Sequence, residues 1–320
     1  MTTNPISPVY FDCDTGVDDS VALGYLLASP EVDLVGIGTV SGNTDAARAA
    51  VNSLDLLALA GRPNVPVAVG ATNWLARPFN GGVPHIHGAN GVGNVDLPPA
   101  QVSPVAESAA DLLVRLSREH AGRLRIIAVG PLTNLALALS RDPSLAGRIA
   151  SVTVMGGAAM VPGNISAVAE ANIGNDPEAA RQVVTAGWPV TLVPLDVTQQ
   201  NTLDDADRAR LLSAPGPLPR VLGQILDHYF DFHVPVFGRR GCPLHDPLAA
   251  ALAVGVIKPT NAPAVEIEVD ATPGPGRGQT LCDLRGQNLG PVDQPGRVTR
   301  VVLATSEPLG PHLIGRLSGA

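Results

Sequence analysis

The sequence predicts an α/β fold: a single large domain on a mainly parallel, doubly wound (Rossmann-like) sheet, with extra C-terminal strands. Three observations carry this. Runs rich in Val, Ile and Leu alternate with amphipathic segments from the N-terminus as far as Asp196. No linker and no fixed-period repeat interrupts the alternation, so residues 1–320 are taken as one domain. The chain is 45% hydrophobic and only 16% charged, which suits a sheet covered on both faces.

Strands are predicted at 9–12, 34–40, 66–70, 124–130, 151–156 and 190–194, where apolar character is continuous. Helices fall between them at 18–28, 44–61, 104–120, from 134 onward, and 176–187. Asp18 and Asp19 favour the start of the first helix through its dipole. Beyond Asp196 the rhythm changes, with helices predicted at 203–213, 218–232 and 246–254. The last is expected to open on an Asp246 cap with Pro247 in its first turn. Strands at 265–269, 280–284 and 298–305 are expected to form a smaller sheet or hairpin, with a Gly/Pro-rich turn at 272–278. The stretch 71–103 has no predicted element. Its His85 and His87, set among glycines, suggest a mobile loop able to close over a site.

Composition narrows the function. The net charge is −8 with no basic run, which argues against a nucleic-acid partner and for a cation site with a neutral substrate. No run has membrane-span length, and residues 1–8 lack the basic and apolar regions of a signal peptide. The three cysteines (Cys13, Cys242 and Cys282) show no CxxC spacing, so neither a disulfide framework nor a zinc site is expected. A reduced, cytoplasmic location is the simplest expectation.

The densest chemistry is the turn Asp12-Cys13-Asp14-Thr15-Gly16-Val17-Asp18-Asp19 directly after the first strand. Strand ends are where open α/β sheets bind ligands. Four carboxylates in eight residues repel one another unless a cation sits among them. An all-oxygen set suits a hard ion, Ca2+ or Mg2+. Helix capping alone accounts for one or two of the acids, not four. An EF-hand is excluded, because the fifth position counted from Asp12 is Gly16 and no distal glutamate follows correctly. An aspartyl-phosphate phosphatase also begins Asp-x-Asp after a strand, but its pattern continues with Thr where Gly16 stands.

This turn resembles the N-terminal signature of the inosine–uridine-preferring nucleoside hydrolases. Collinear likenesses follow in Val40-Ser41-Gly42-Asn43, His85-Ile86-His87-Gly88 and Gly130-Pro131-Leu132-Thr133-Asn134. Further ones are Met155-Gly156-Gly157, Asn164, Glu170, Asn172, Asp176-Pro177-Glu178-Ala179-Ala180 and Leu244-His245-Asp246-Pro247. The one departure in the signature is Thr15, where proline is commoner in the family. The resemblance implies Ca2+ held by Asp14, Asp19, the Thr133 carbonyl and Asp246, with Asp14 also the general base. It implies ribose contacts from Asp18, Asn43, Met155, Asn164, Glu170 and Asn172, and a preference for ribonucleosides over 2′-deoxyribonucleosides. His245 would be the acid or a base contact, and His87 a weaker substrate contact. Tyr229, Phe232, His233 and Phe237 would line the base side. A homodimer or homotetramer is implied as well. Two rivals stay open: a Mg2+-dependent phosphatase, and a non-catalytic metal-dependent nucleoside- or sugar-binding module. The phosphatase would want a lysine near the acidic turn, and the only lysine is Lys258.

Overall fold

A computed structural model describes residues 6–319. Residues 1–5 of the segment read above for a signal peptide lie outside them. Six parallel strands follow in chain order: β1 (Ser7–Cys13), β2 (Val32–Thr39), β3 (Val67–Val69), β4 (Leu124–Ala128), β5 (Ile149–Met155) and β6 (Val190–Val193). A seventh, Arg300–Val301, extends the sheet beside β6, giving the spatial order Arg300–Val301, β6, β5, β4, β1, β2, β3. Strand order therefore reverses at β1/β4, where Asp12 lies in register with Ala128 of β4 and Gly38 of β2.

The sheet is buried on both faces. One side packs β1 residues Val9, Phe11 and Cys13 against helix α1 (Val17–Leu27) and helix His245–Ala253. The other packs Tyr10 with helix Ala109–Glu119 and helix Thr133–Arg141. Strand alternation thus sends Tyr10 and its neighbour-but-one Asp12 to one side, and Cys13 to the other. Helix α2 (Ala46–Leu59) follows β2 and is capped by Asp45, whose side chain accepts from Arg48 N–H at 2.9 Å. No helix among the described residues is long and apolar enough to cross a membrane.

Four sequence expectations need correction. Residues Thr202–Asp204 are a strand paired antiparallel with Gly241–Pro243, and the helix begins only at Asp205. Asp204 caps it, accepting from the Ala206 and Asp207 amides at 2.9 and 3.1 Å. The region 298–305 does not join the C-terminal hairpin of Ile267–Val269 and Thr280–Cys282. It supplies Arg300–Val301 to the main sheet and Ala304–Thr305 to a pair with Pro259–Asn261. Asp246 is not a cap, because the helix starts at His245 after Leu244 and Asp246 lies within its first turn. Finally, part of the stretch 71–103 is tied down. Helix α3 (Pro84–His87) forms within it, and His87 is only 4% exposed.

Candidate active site

The acidic turn leaves β1 at the point where strand order reverses, and α1 starts within it. Its four aspartates part ways. Asp12 accepts from Tyr10 Oη at 3.0 Å and from Asn134 Nδ2 at 3.1 Å, on the side away from Cys13. It is therefore a buried structural anchor, and the four-acid cluster expected from the turn becomes three. Asp246 arrives from the loop end of a distant helix to restore the number. Carboxylate oxygens of Asp18, Asp19 and Asp246 lie within 4.8 Å of one another, and all three residues are buried.

Asp14 joins them through shared partners. Asp19 accepts from the Asp14 and Gly16 amides at 3.1 and 2.8 Å, so it also closes the first turn of α1. Asn43, on the loop after β2, donates its backbone N–H to Asp14 at 2.6 Å and its Nδ2 to Asp19 at 3.0 Å. That loop can approach because residue 42 is glycine: a Cβ there would stand 2.0 Å from Asp14 Oδ2. Asp14 Oδ1 and Asp18 Oδ1 are sealed from solvent and have no hydrogen-bond partner.

Electrostatics follow from this crowding. Burial first, then neighbouring acids, push Asp14 and Asp246 well above the carboxylate range, and Asp19 up to about 7. Glu170 adds a smaller share to the rise at Asp246. No Arg or Lys pairs with these acids among the described residues, and the one contact with a basic group is His87 Nδ1 at 3.9 Å from Asp18 Oδ1. That contact is not an ion pair. His87 Nδ1 accepts from the Val17 amide at 3.0 Å, so it carries no proton, and burial holds the ring's pKa down to about 3. Bare, mutually repelling carboxylates with orphaned oxygens and no cationic side chain fit a hard divalent cation. Asp14, Asp18, Asp19 and Asp246 are the side chains able to hold one.

The remaining predicted residues fall on two sides. Thr133 opens helix Thr133–Arg141, and its hydroxyl donates to Asp176 Oδ2 at 2.7 Å. Met155 ends β5. Asn172 Nδ2 donates to the Val129 and Met155 carbonyls at 2.8 and 3.1 Å, which leaves Oδ1 as its free group. Glu170 caps the short helix Ala171–Asn175: Oε1 accepts from Asn172 N–H at 2.8 Å, and Oε2 from the Gly157 and Ile173 amides at 2.9 and 3.1 Å. Asn164 is exposed on the loop after β5, where its backbone N–H bonds the Ala169 carbonyl.

On the other side, Tyr229 projects from helix Pro217–Phe237 and donates to Asp18 Oδ2 at 3.3 Å. Its ring lies 5.4 Å from that of His87 and 4.4 Å from that of His233, which in turn packs on Phe232 and Phe237. His245 is half-buried, with Nδ1 2.8 Å from Thr198 Oγ1. Burial lowers its pKa to about 4, so at neutral pH it can offer a hydrogen bond but holds no extra proton. Sequence reasoning named Asp176 only within the Asp176–Ala180 likeness and gave no role to Thr198 or Tyr10. Their partners lie 43, 47 and 2 residues away, and only the last was within reach of a local reading.

A carboxylate nest with no Arg or Lys partner among the described residues, at the switch point of a parallel sheet and flanked by amide and imidazole groups, defines a ligand site suited to a hard divalent cation. The comparisons specify it. Residues 9–308 match the family described as inosine-uridine preferring nucleoside hydrolase. Uridine nucleosidase 1 of Arabidopsis thaliana is 40% identical over 252 residues, covering 78% of this chain and 73% of that one. The pyrimidine-specific ribonucleoside hydrolase RihA of Salmonella paratyphi B is 38% identical over 245 residues, covering 76% and 78%. Among solved structures, a purine-preferring ribonucleoside hydrolase from Gardnerella vaginalis superposes with a TM-score of 0.89 at 33% identity, over 98% of each chain. The plant nucleoside hydrolase PpNRh1 superposes with a TM-score of 0.90 at 30% identity, over 99% of this chain and 100% of that one. This chain belongs to the inosine-uridine preferring nucleoside hydrolase family. It is an enzyme that hydrolyses the N-glycosyl bond of ribonucleosides.

Proposed function

We propose that the enzyme releases free base and ribose by direct attack of water on C1′, with Ca2+ in the acidic nest and Asp14 as general base. The observation that carries this is the pair of sealed, unpartnered oxygens, Asp14 Oδ1 and Asp18 Oδ1, beside Asp19 and Asp246. A divalent cation held there would supply positive charge that lowers the pKa of a water and attracts sugar hydroxyls. Asp14, Asp19, Asp246 and the Thr133 carbonyl are its proposed ligands.

Every other task belongs to the chain. Asp14 takes the proton of the attacking water, because its Oδ1 is free while Oδ2 is held by Asn43. Asn172 Oδ1 accepts from a ribose hydroxyl, since its amide nitrogen is already occupied. Asp18, Asn43, Met155, Asn164 and Glu170 complete the ribose pocket. Clustered carboxylates stabilise the positive charge that develops on the sugar ring. His245 donates a hydrogen bond to the departing base, which leaves as its anion and takes a proton from solvent to become the free base, and His87 and Tyr229 wall the base side. Direct attack inverts the anomeric carbon, and isolation of a covalent ribosyl-enzyme would contradict it.

Relatives named for uridine and for pyrimidine ribonucleosides make uridine the first substrate to test. The phosphatase rival finds no support, because Lys258 is exposed just before the short strand Pro259–Asn261 and, among the described residues, no Arg or Lys pairs with the nest. The same reading takes residues 1–320 as one catalytic domain of a cytoplasmic homo-oligomer serving nucleoside salvage. A panel of ribonucleosides scored for reducing sugar, with and without chelator, tests it. Intact uridine and inosine after long incubation with Ca2+ would leave only the non-catalytic binding module.

A further inference from the structure

Backbone partners fix the proton positions of two imidazoles beside the nest, and they fix them oppositely. The Val17 N–H can only donate, so His87 Nδ1 must accept and its proton sits on Nε2. The Tyr229 carbonyl can only accept, so His233 Nδ1, 2.8 Å away, must carry the proton. In the neutral ring this leaves His233 Nε2 as a bare acceptor. The two rings flank Tyr229 at 5.4 and 4.4 Å, and Tyr229 reaches Asp18 of the nest. His120 Nδ1 and His228 Nε2 are unpartnered atoms sealed from solvent, whereas Nε2 of His233 is not among the sealed atoms and has no partner among the described residues. His233 itself is only 7% exposed, held between Tyr229, Phe232 and Phe237. Beside Tyr229, which the proposed function sets on the base side, a mostly dry acceptor is a selective element, because a group placed against it must bring a donor or leave the nitrogen unsatisfied.

We propose that His233 is a specificity-determining residue that admits bases presenting an N–H on their distal edge, through Nε2 as a fixed hydrogen-bond acceptor. The N3–H of uracil is the donor the site selects. This rests on the hydrolase reading above. It makes a demand that the reading does not: methylation of that nitrogen must be costly, and costly because of His233.

The test compares kcat/KM for uridine and 3-methyluridine in the wild-type enzyme and in His233→Phe, which keeps a ring of similar size but removes the acceptor. Wild type is expected to favour uridine by about 10- to 100-fold. His233→Phe is expected to lose most of that ratio, chiefly by losing activity on uridine. Equal rates on the two substrates in wild type overturn the proposal without any variant. A ratio unchanged in His233→Phe also overturns it, since discrimination would then be steric. Inosine and cytidine in the same assay report separately on hydrolysis: failure to cleave any ribonucleoside sinks the catalytic reading itself, not merely the assignment of His233.

Discussion

Asp14 combines two demands that few carboxylates meet together: one oxygen is fixed by the Asn43 amide while the other is buried with no partner. Asp14→Asn removes the base and a negative ligand at nearly constant volume. Steady-state kinetics should show kcat falling by about 10²–10⁴-fold with the protein still folded. A loss under threefold would remove Asp14 from the mechanism. Gly42 gives a sharper check, because it touches no substrate in the proposed scheme. Gly42→Ala places a Cβ 2.0 Å from Asp14 Oδ2, so Asp14 or the loop must move. Misplacement of that order should cost about 10²-fold in kcat, and near-normal activity would show that Asp14 tolerates displacement. At this scale the sequence revealed the density of acids but not their division. Asp12 and Asp14 look equivalent in the turn, yet strand alternation and the distant Asn134 take Asp12 out of the nest.

Elements set which side chains reach the site. Long apolar strands and helices with clear periodicity were legible, because burial on both faces of a parallel sheet imposes continuous Val/Ile/Leu runs. Short elements were not. Thr202–Asp204 has three residues and Arg300–Val301 two, and each is fixed by a partner strand far away in sequence. The error at 203–213 has a testable side. Asp204 is a helix cap that accepts from two amides, so Asp204→Ala should lower stability by about 1 kcal/mol in denaturant unfolding and leave kcat/KM unchanged. A change in kinetics without a change in stability would mean that this corner communicates with the site. The acidic turn was readable because its residues are adjacent. His245 with Thr198, and Thr133 with Asp176, were not readable as pairs, since only the folded sheet brings them together.

For the whole molecule, the buried acids couple stability to pH. Asp12 and Asp19 rise from an ordinary value of 3.8 to about 7 in the folded chain, and Asp14 and Asp246 rise as well. The raised acids make the folded state bind the more protons up to about pH 7, whereas His87 and His245, held down to about 3 and 4, take up protons only on unfolding below about 6.5; the two trends oppose each other in acid, and the fall in stability with rising pH stands alone only above about 6.5. Metal-free protein should accordingly show a Tm that decreases from about pH 6.5 toward pH 8 by calorimetry, above the range in which the histidines oppose the acids. Added Ca2+ should reverse the trend, since deprotonated carboxylates are what the ion binds. A metal-free Tm that climbs over the same range would mean that these acids are ionised without a cation.

The most direct measurement is release of ribose from uridine by enzyme stripped with a chelator and then titrated with Ca2+, in wild type and in Asp246→Asn. The account predicts activity lost on stripping, restored by Ca2+ in wild type, and not restored in the variant at the same concentration. Undiminished uridine cleavage by the stripped wild-type enzyme would contradict it.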